Sequence, residues 1–119
     1  MTTYDMKVSR PNDCGVLEPG YREVVASRAR AYAAVNIALR EDGRFAYGLE
    51  MNYSHGGFAF PICVDGESFA TKEAACEAAL GELLRRWHQP FASEPASVHD
   101  ELRDLREQVE SRLSQPSLF

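Results

Sequence analysis

Two stretches alternate apolar with small or polar residues at the two-residue period of a half-buried strand: Val35-Asn36-Ile37-Ala38-Leu39-Arg40, and residues 45–53 from Phe45 to Tyr53. Between them Glu41-Asp42-Gly43 suits a three-residue hairpin loop with glycine in its left-handed position. That loop pairs Leu39 with Phe45, Ile37 with Tyr47 and Val35 with Leu49, all on one face. A two-residue loop would set Leu39 against Ala46 and turn one strand over, so the hydrophobic pattern selects the longer loop. A third run, residues 58–64, follows Ser54-His55-Gly56-Gly57. Closing those four residues as a loop pairs Tyr53 with Phe58, Met51 with Phe60, Leu49 with Ile62 and Tyr47 with Val64. The faces agree again, which makes 45–53 a central strand. Pro61 has no N–H and marks its own strand as an edge.

Such a face needs a cover. Thr71 is a good N-cap for a helix beginning at Lys72-Glu73, in which Cys76, Ala79, Leu80, Leu83, Leu84 and Trp87 fall at helical spacing before Pro90 ends the pattern. Gly81, unfavourable inside a helix, suggests a close approach to the sheet. Upstream, residues 1–20 read as an irregular arm with turn signals at Pro11-Asn12-Asp13 and Pro19-Gly20. Residues 21–32 are ambiguous: Glu23-Val24-Val25 suits a short strand, but Tyr21, Val25, Ala29 and Tyr32 share a helical face, and a short helix is preferred. Downstream, residues 91–97 form a linker. Ser97 then caps a helix over 98–114, where Val98, Leu102, Leu105 and Val109 step by four, three and four. This short seam has to pack on the domain, on a second copy or on another protein. The expected fold class is α+β: a three-stranded antiparallel meander packed on one amphipathic helix over 33–90, with an N-terminal arm and short helix over 1–32 and a C-terminal helix.

Composition changes this picture little. The chain has 119 residues, 45% hydrophobic and 26% charged, with a net charge of −5. No apolar run is long enough to span a bilayer, and Met1-Thr2-Thr3-Tyr4-Asp5 lacks the apolar core of a signal peptide. Cys14, Cys63 and Cys76 make no paired framework and suit a reducing compartment. A cytoplasmic location without membrane association is the expectation.

Candidate chemistry is sparse. His55, His88, His99 and the cysteines show none of the spacings that hold zinc, so neither metal nor cofactor is expected. Cys63 and His55 lie far apart along one strand, and Cys76 belongs to a buried face where a thiol behaves as a small hydrophobe. Glu41 and Asp42 sit in a turn open to water, a poor setting for a general acid. Ser54-His55-Gly56-Gly57 joins two strands, whereas a phosphate loop leads into a helix. No catalytic residue is assigned, and the chain is not expected to be an enzyme. Arg22, Arg28, Arg30, Arg40 and Arg44 could form a patch with Tyr32, but Glu23, Glu41 and Asp42 balance them and the acidic chain disfavours phosphate binding. Arg85-Arg86 suits a helix C-terminus.

What remains is surface for contact with another macromolecule. The sheet face opposite the helix carries Asn36, Ala38, Ala46, Gly48, Glu50, Asn52 and Ala59, small enough for a backbone to approach. The outer edge of the first strand is a natural place for pairing with another chain or with the N-terminal segment. The C-terminal helix is acidic on its outer side through Glu101, Asp104, Glu107 and Glu110, which could meet a basic groove with salt-sensitive affinity. With His55 at the hairpin tip and Glu50 and Asn52 on the sheet, these are the candidate partner-binding residues. The expected partner is a protein or ribonucleoprotein complex; a homodimer is the commonest form of self-association.

The order Asp42-Gly43-Arg44-Phe45, Gly56-Gly57-Phe58 and Phe69-Ala70-Thr71-Lys72-Glu73-Ala74-Ala75 resembles that of small β-β-β-α proteins of phages and plasmids, and is similar to the core of HicB-type antitoxins over residues 33–88. The first resemblance implies an anti-CRISPR-like or other anti-defence inhibitor acting by surface occlusion. The second implies a regulator that binds a small toxin or RNA. HicB-type proteins usually add a helix-turn-helix or ribbon domain, for which no pattern is present.

Overall fold

The computed structural model describes residues 6–114; the expected arm therefore lies outside the described residues at positions 1–5. The fold is α+β, with antiparallel sheets and two helices. Strands β2 (Tyr21–Arg28), β3 (Ala31–Leu39), β4 (Phe45–Tyr53) and β5 (Gly56–Phe60) form a four-stranded sheet in that order, and β1 (Val16–Leu17) pairs with β6 (Ile62–Cys63) in a small second sheet. Helices α1 (Lys72–Arg85) and α2 (Ala96–Ser114) complete it.

The β3–β4 hairpin has the register that the hydrophobic pattern selects: Leu39 opposite Phe45, Ile37 opposite Tyr47, Val35 opposite Leu49. Gly43 takes φ +82°, where a side chain would be strained, and Asp42 accepts the Arg44 N–H. The β4–β5 pairing corrects the expected one. The loop contains only Ser54-His55, and both glycines enter the strand, so Tyr53 faces Gly56, Met51 faces Phe58 and Leu49 faces Phe60. A Cβ on Gly57 would stand 2.3 Å from the Met51 carbonyl oxygen, so only glycine permits this close hairpin. The shift is two residues, an even number, and the aromatic side chains keep their face.

A second correction concerns residues 21–32, which form strand β2 and its turn instead of a short helix. Tyr21 lies opposite Ile37 and Glu23 opposite Val35 before a bulge between Val24 and Ala26 shifts the register. Tyr21, Val25 and Ala29 are four residues apart, an even spacing that suits one face of a strand as well as one face of a helix, and the bulge interrupts the alternation that would have told them apart. Ala29, at φ 54°, turns the chain into β3. The meander is thus four-stranded, and its outermost strand comes from the segment expected to stand outside the core.

Both helices cover the same sheet face. Val35, Leu49 and Met51 meet Ala79, Leu80, Leu83 and Trp87 of the α1 side and Val98, Leu102, Leu105 and Val109 of α2 in one buried cluster. Thr71 caps α1 by accepting the Ala74 N–H at 3.1 Å. The indole N–H of Trp87 donates to the Leu102 carbonyl at 3.3 Å, tying the helices together. The α2 seam therefore packs on its own domain.

The expected close approach at Gly81 is absent, since the nearest atom to a Cβ there is Arg85 Nη1 at 3.8 Å. Gly81→Ala should raise stability by about 0.5–1 kcal/mol in urea unfolding, by restricting the unfolded chain and improving helix propensity.

The opposite face is half covered. Beyond Phe60, Pro61 ends the ladder and the chain crosses over Gly48, where a Cβ would lie 2.6 Å from the Phe60 carbonyl oxygen and 3.0 Å from Ile62 Cγ1. This crossing seats Ile62 beside Leu17, above Ala38 and Ala46, in a second buried cluster. The arm is anchored as well: the Ser9 N–H donates to the Leu39 carbonyl at 2.8 Å, and the Asn12 side chain accepts N–H bonds from Cys14 and Val16.

Candidate interaction surface

The candidate residues on α2 are largely engaged within the molecule. Glu101 accepts the Ser54 N–H at 2.8 Å and its hydroxyl at 3.0 Å, clamping the β4–β5 hairpin tip. Asp104 lies 3.6 Å from Arg28, and Glu110 pairs with Arg106 at 3.2 Å. Glu107 is exposed beside a groove lined by Val25, Asp104, Gln108 and Arg112. The four carboxylates therefore do not form one acidic stripe. Arg112 instead reaches down to β2 and binds Glu23 through two hydrogen bonds of 2.9 and 3.1 Å, while the Tyr21 hydroxyl donates to the same carboxylate at 2.8 Å.

On the other face of the sheet, Glu50 is the hub of a polar cluster. It accepts two bonds from Arg22 at 2.9 and 3.0 Å, one from Asn36 at 2.8 Å and one from Tyr32 at 3.2 Å. Hydrogen bonding to Arg22 foremost, reinforced by Asn36, holds its carboxyl at about 2 against the burial that opposes ionisation. Because the folded state depresses this pKa, the associated stability is complete above the ordinary carboxylate range and is lost as pH falls toward 2. Glu50→Gln should flatten the acid limb of the pH–stability curve between about pH 5 and 2. An unchanged limb, measured by urea unfolding at each pH, would refute the coupling. Asn52, on the same strand, is exposed and adjoins the hairpin tip.

The expected arginine patch is dispersed. Arg22 is held by Glu50, Arg28 donates to the Asp100 carbonyl within α2, Arg40 pairs with Asp42, and Arg44 bonds the Ser68 hydroxyl and carbonyl. His55 and Cys63 lie beyond opposite ends of β5 and are not brought together. Burial pushes the Cys76 thiol up, away from reactivity. Among the described residues, no group of three or more His, Cys, Asp or Glu is placed to hold a metal ion. No described helix is long and apolar enough to cross a membrane.

Near the tip, the Tyr53 and His88 rings stack with centroids 5.6 Å apart, and Phe91 meets His88 edge-on at 6.1 Å. His88 Nε2 lies 3.1 Å from Glu94 Oε1. These contacts fix the α1–α2 connection against the hairpin. Phe91 remains 69% exposed.

The outer edge of β3, expected to pair with another chain or with the N-terminal segment, is taken by β2, so the sheet's edges are β2 and β5, and they are treated unequally. At the β2 edge, the Gln108 side chain behaves as a strand substitute: its carbonyl accepts the Ser27 N–H and its amide donates to the Ser27 carbonyl, both at 3.0 Å. With the bulge between Val24 and Ala26, this blunts that edge at its Ser27 end. At the other end of the sheet, β5 (Gly-Gly-Phe-Ala-Phe) carries no charge and no bulge, and no described strand lies on its outer side. The pair Tyr53 and Gly56 that closes a two-residue loop is hydrogen-bonded, and bonding alternates along the ladder, so Gly57 and Ala59 direct their N–H and C=O groups outward. Phe60 is 38% exposed, with the Arg86 guanidinium 4.4 Å from its ring centre. Beyond it lies a cleft of about 350 Å³ lined by Tyr47, Phe60, Pro61, Cys63, Glu82 and Arg86. Against this geometry, comparison with family models, curated proteins and solved structures finds no match.

Proposed function

We propose that this chain is a non-catalytic protein-interaction module whose working surface is the outer edge of β5. The observation that carries the reading is the unequal treatment of the two edges: one is bulged and capped at Ser27 by Gln108, the other offers outward backbone groups between an exposed phenylalanine and a hairpin tip. An unprotected edge of this kind recruits an extended strand, with main-chain hydrogen bonds supplying affinity and flanking side chains supplying selectivity. His55 and Glu101 lie at the tip end of that edge. Glu50 and Asn52, on the adjoining strand, would meet a partner only at its margin. The narrower role, an inhibitor of phage or plasmid origin that occludes a host complex, rests on the resemblance of residues 33–88.

A photo-crosslinking phenylalanine derivative placed at Ala59, with a control at Glu77 on α1, tests the reading. Protein adducts specific to position 59 are expected in a lysate of the source cell or with the purified chain. Equal labelling at both positions, or none at 59, would overturn it.

A further inference from the structure

We infer that a second copy of this chain occupies the β5 edge, pairing antiparallel across a two-fold axis at Phe58. The inference rests on the interaction-module reading and adds the partner. In this arrangement Gly57 of each copy lies opposite Ala59 of the other, so the outward N–H and C=O groups of both residues are all matched. The pairing stops by itself, because the next position beyond Phe60 is Pro61, which has no N–H to donate, and the next beyond Gly56 is the turn residue His55.

The side chains are also self-complementary. On the helix-covered face, Phe58, whose ring centroid is 5.3 Å from that of Phe60, would meet Phe58 of the other copy, and Phe60 would lie over the bare Gly56 of the other copy. Charge is complementary as well. Arg86 stands at the Phe60 end of the edge, and Glu101 at the Ser54 end, on the same face of the sheet. Antiparallel pairing brings each Arg86, which also bonds Glu82 of its own helix, to the Glu101 end of the other molecule. It also places the tip residue His55 of each copy at the mouth of the other's cleft, beside Glu82. A strand of five residues with these flanks buries less than a standard interface, so the dimer is concentration-dependent, with a Kd on the order of 10–100 μM.

Sedimentation velocity from about 5 to 500 μM should show a monomer–dimer equilibrium in the native chain. Ala59→Pro removes an outward N–H while leaving the β4–β5 pairing intact, and should leave only monomer with unchanged circular dichroism. Arg86→Glu should weaken the dimer at least tenfold, and more at low salt. In a Cys14→Ser/Cys63→Ser background, Phe58→Cys should form a disulfide-linked dimer on mild oxidation, since facing residues at a non-hydrogen-bonded position have Cα atoms about 4.5 Å apart. Glu77→Cys in the same background should not. A native chain that is monomeric throughout, or an Ala59→Pro chain that dimerises as well as the native one, would overturn the second copy as occupant. Adducts from position 59 to a different protein, with no self-association, would reject this inference and leave the interaction-module reading standing. No adduct of either kind would remove both.

Discussion

A chain ending at Pro90 should fail to fold, and Leu105→Ala in the full chain should lose about 3 kcal/mol of stability. Val98, Leu102, Leu105 and Val109 are each 2% exposed or less and share one cluster with Val35, Leu49 and Leu83. Removing α2 strips these side chains from the core, and with them the Gln108 clamp on Ser27, the Arg112 pair with Glu23 and the Glu101 hold on the hairpin tip. Because a domain of this size holds only about 5–15 kcal/mol in total, losing several buried leucines and valines together exceeds what the remainder can sustain. Urea and thermal unfolding followed by circular dichroism measure both effects. A truncated chain with a cooperative transition near that of the full chain would show that α2 is an appendage.

Gly48→Val should be nearly as damaging, costing about 3 kcal/mol or preventing the native crossing altogether. The main-chain atom in the way, the Phe60 carbonyl oxygen, would be 2.6 Å from even the first added carbon, and it belongs to the segment that carries the chain from one sheet face to the other. Relief requires lifting β6, which withdraws Ile62 from Leu17, Ala38 and Ala46. The signature is a loss of stability accompanied by faster exchange of the Val64 amide, which is bonded to the Gly15 carbonyl at 2.8 Å in the native fold. A Gly48→Val chain with native stability would contradict the crossing geometry.

The sequence made the β3–β4 hairpin legible because two constraints, loop chemistry and hydrophobic alternation, agreed on one register. The β4–β5 hairpin was legible only in its face, since two consecutive glycines fit a loop or a tight strand equally well and the alternation cannot distinguish a two-residue slip. Strand β2 was hidden because the four-residue spacing of Tyr21, Val25 and Ala29 suits a strand and a helix alike, and its bulge interrupts the alternation that would have decided between them. The sheet of β1 and β6 has two residues per strand, too few for any periodicity to show, and its role depends on Gly48, whose lack of a side chain matters only once the crossing is known. The α2 seam was readable as an amphipathic helix, but the choice between packing on its own domain and packing on a partner depends on β2 being beneath it. Of the candidate contact residues, Glu101 and Asp104 carry charges that suggested a docking stripe, and their engagement by Ser54 and Arg28 is long-range and invisible in the local pattern. The capping of Ser27 on one edge by Gln108, 81 positions away, was equally out of reach.

Hydrogen exchange at the amides of Ala59 and Ser27, followed by NMR across a range of protein concentrations, tests the open-edge account most directly. Ser27, held by the Gln108 carbonyl at 3.0 Å, should exchange slowly at every concentration, whereas Ala59 should exchange rapidly in dilute solution and slow progressively as the protein is concentrated. An Ala59 amide already protected in dilute solution, or one whose exchange ignores concentration while Ser27 exchanges freely, would contradict it.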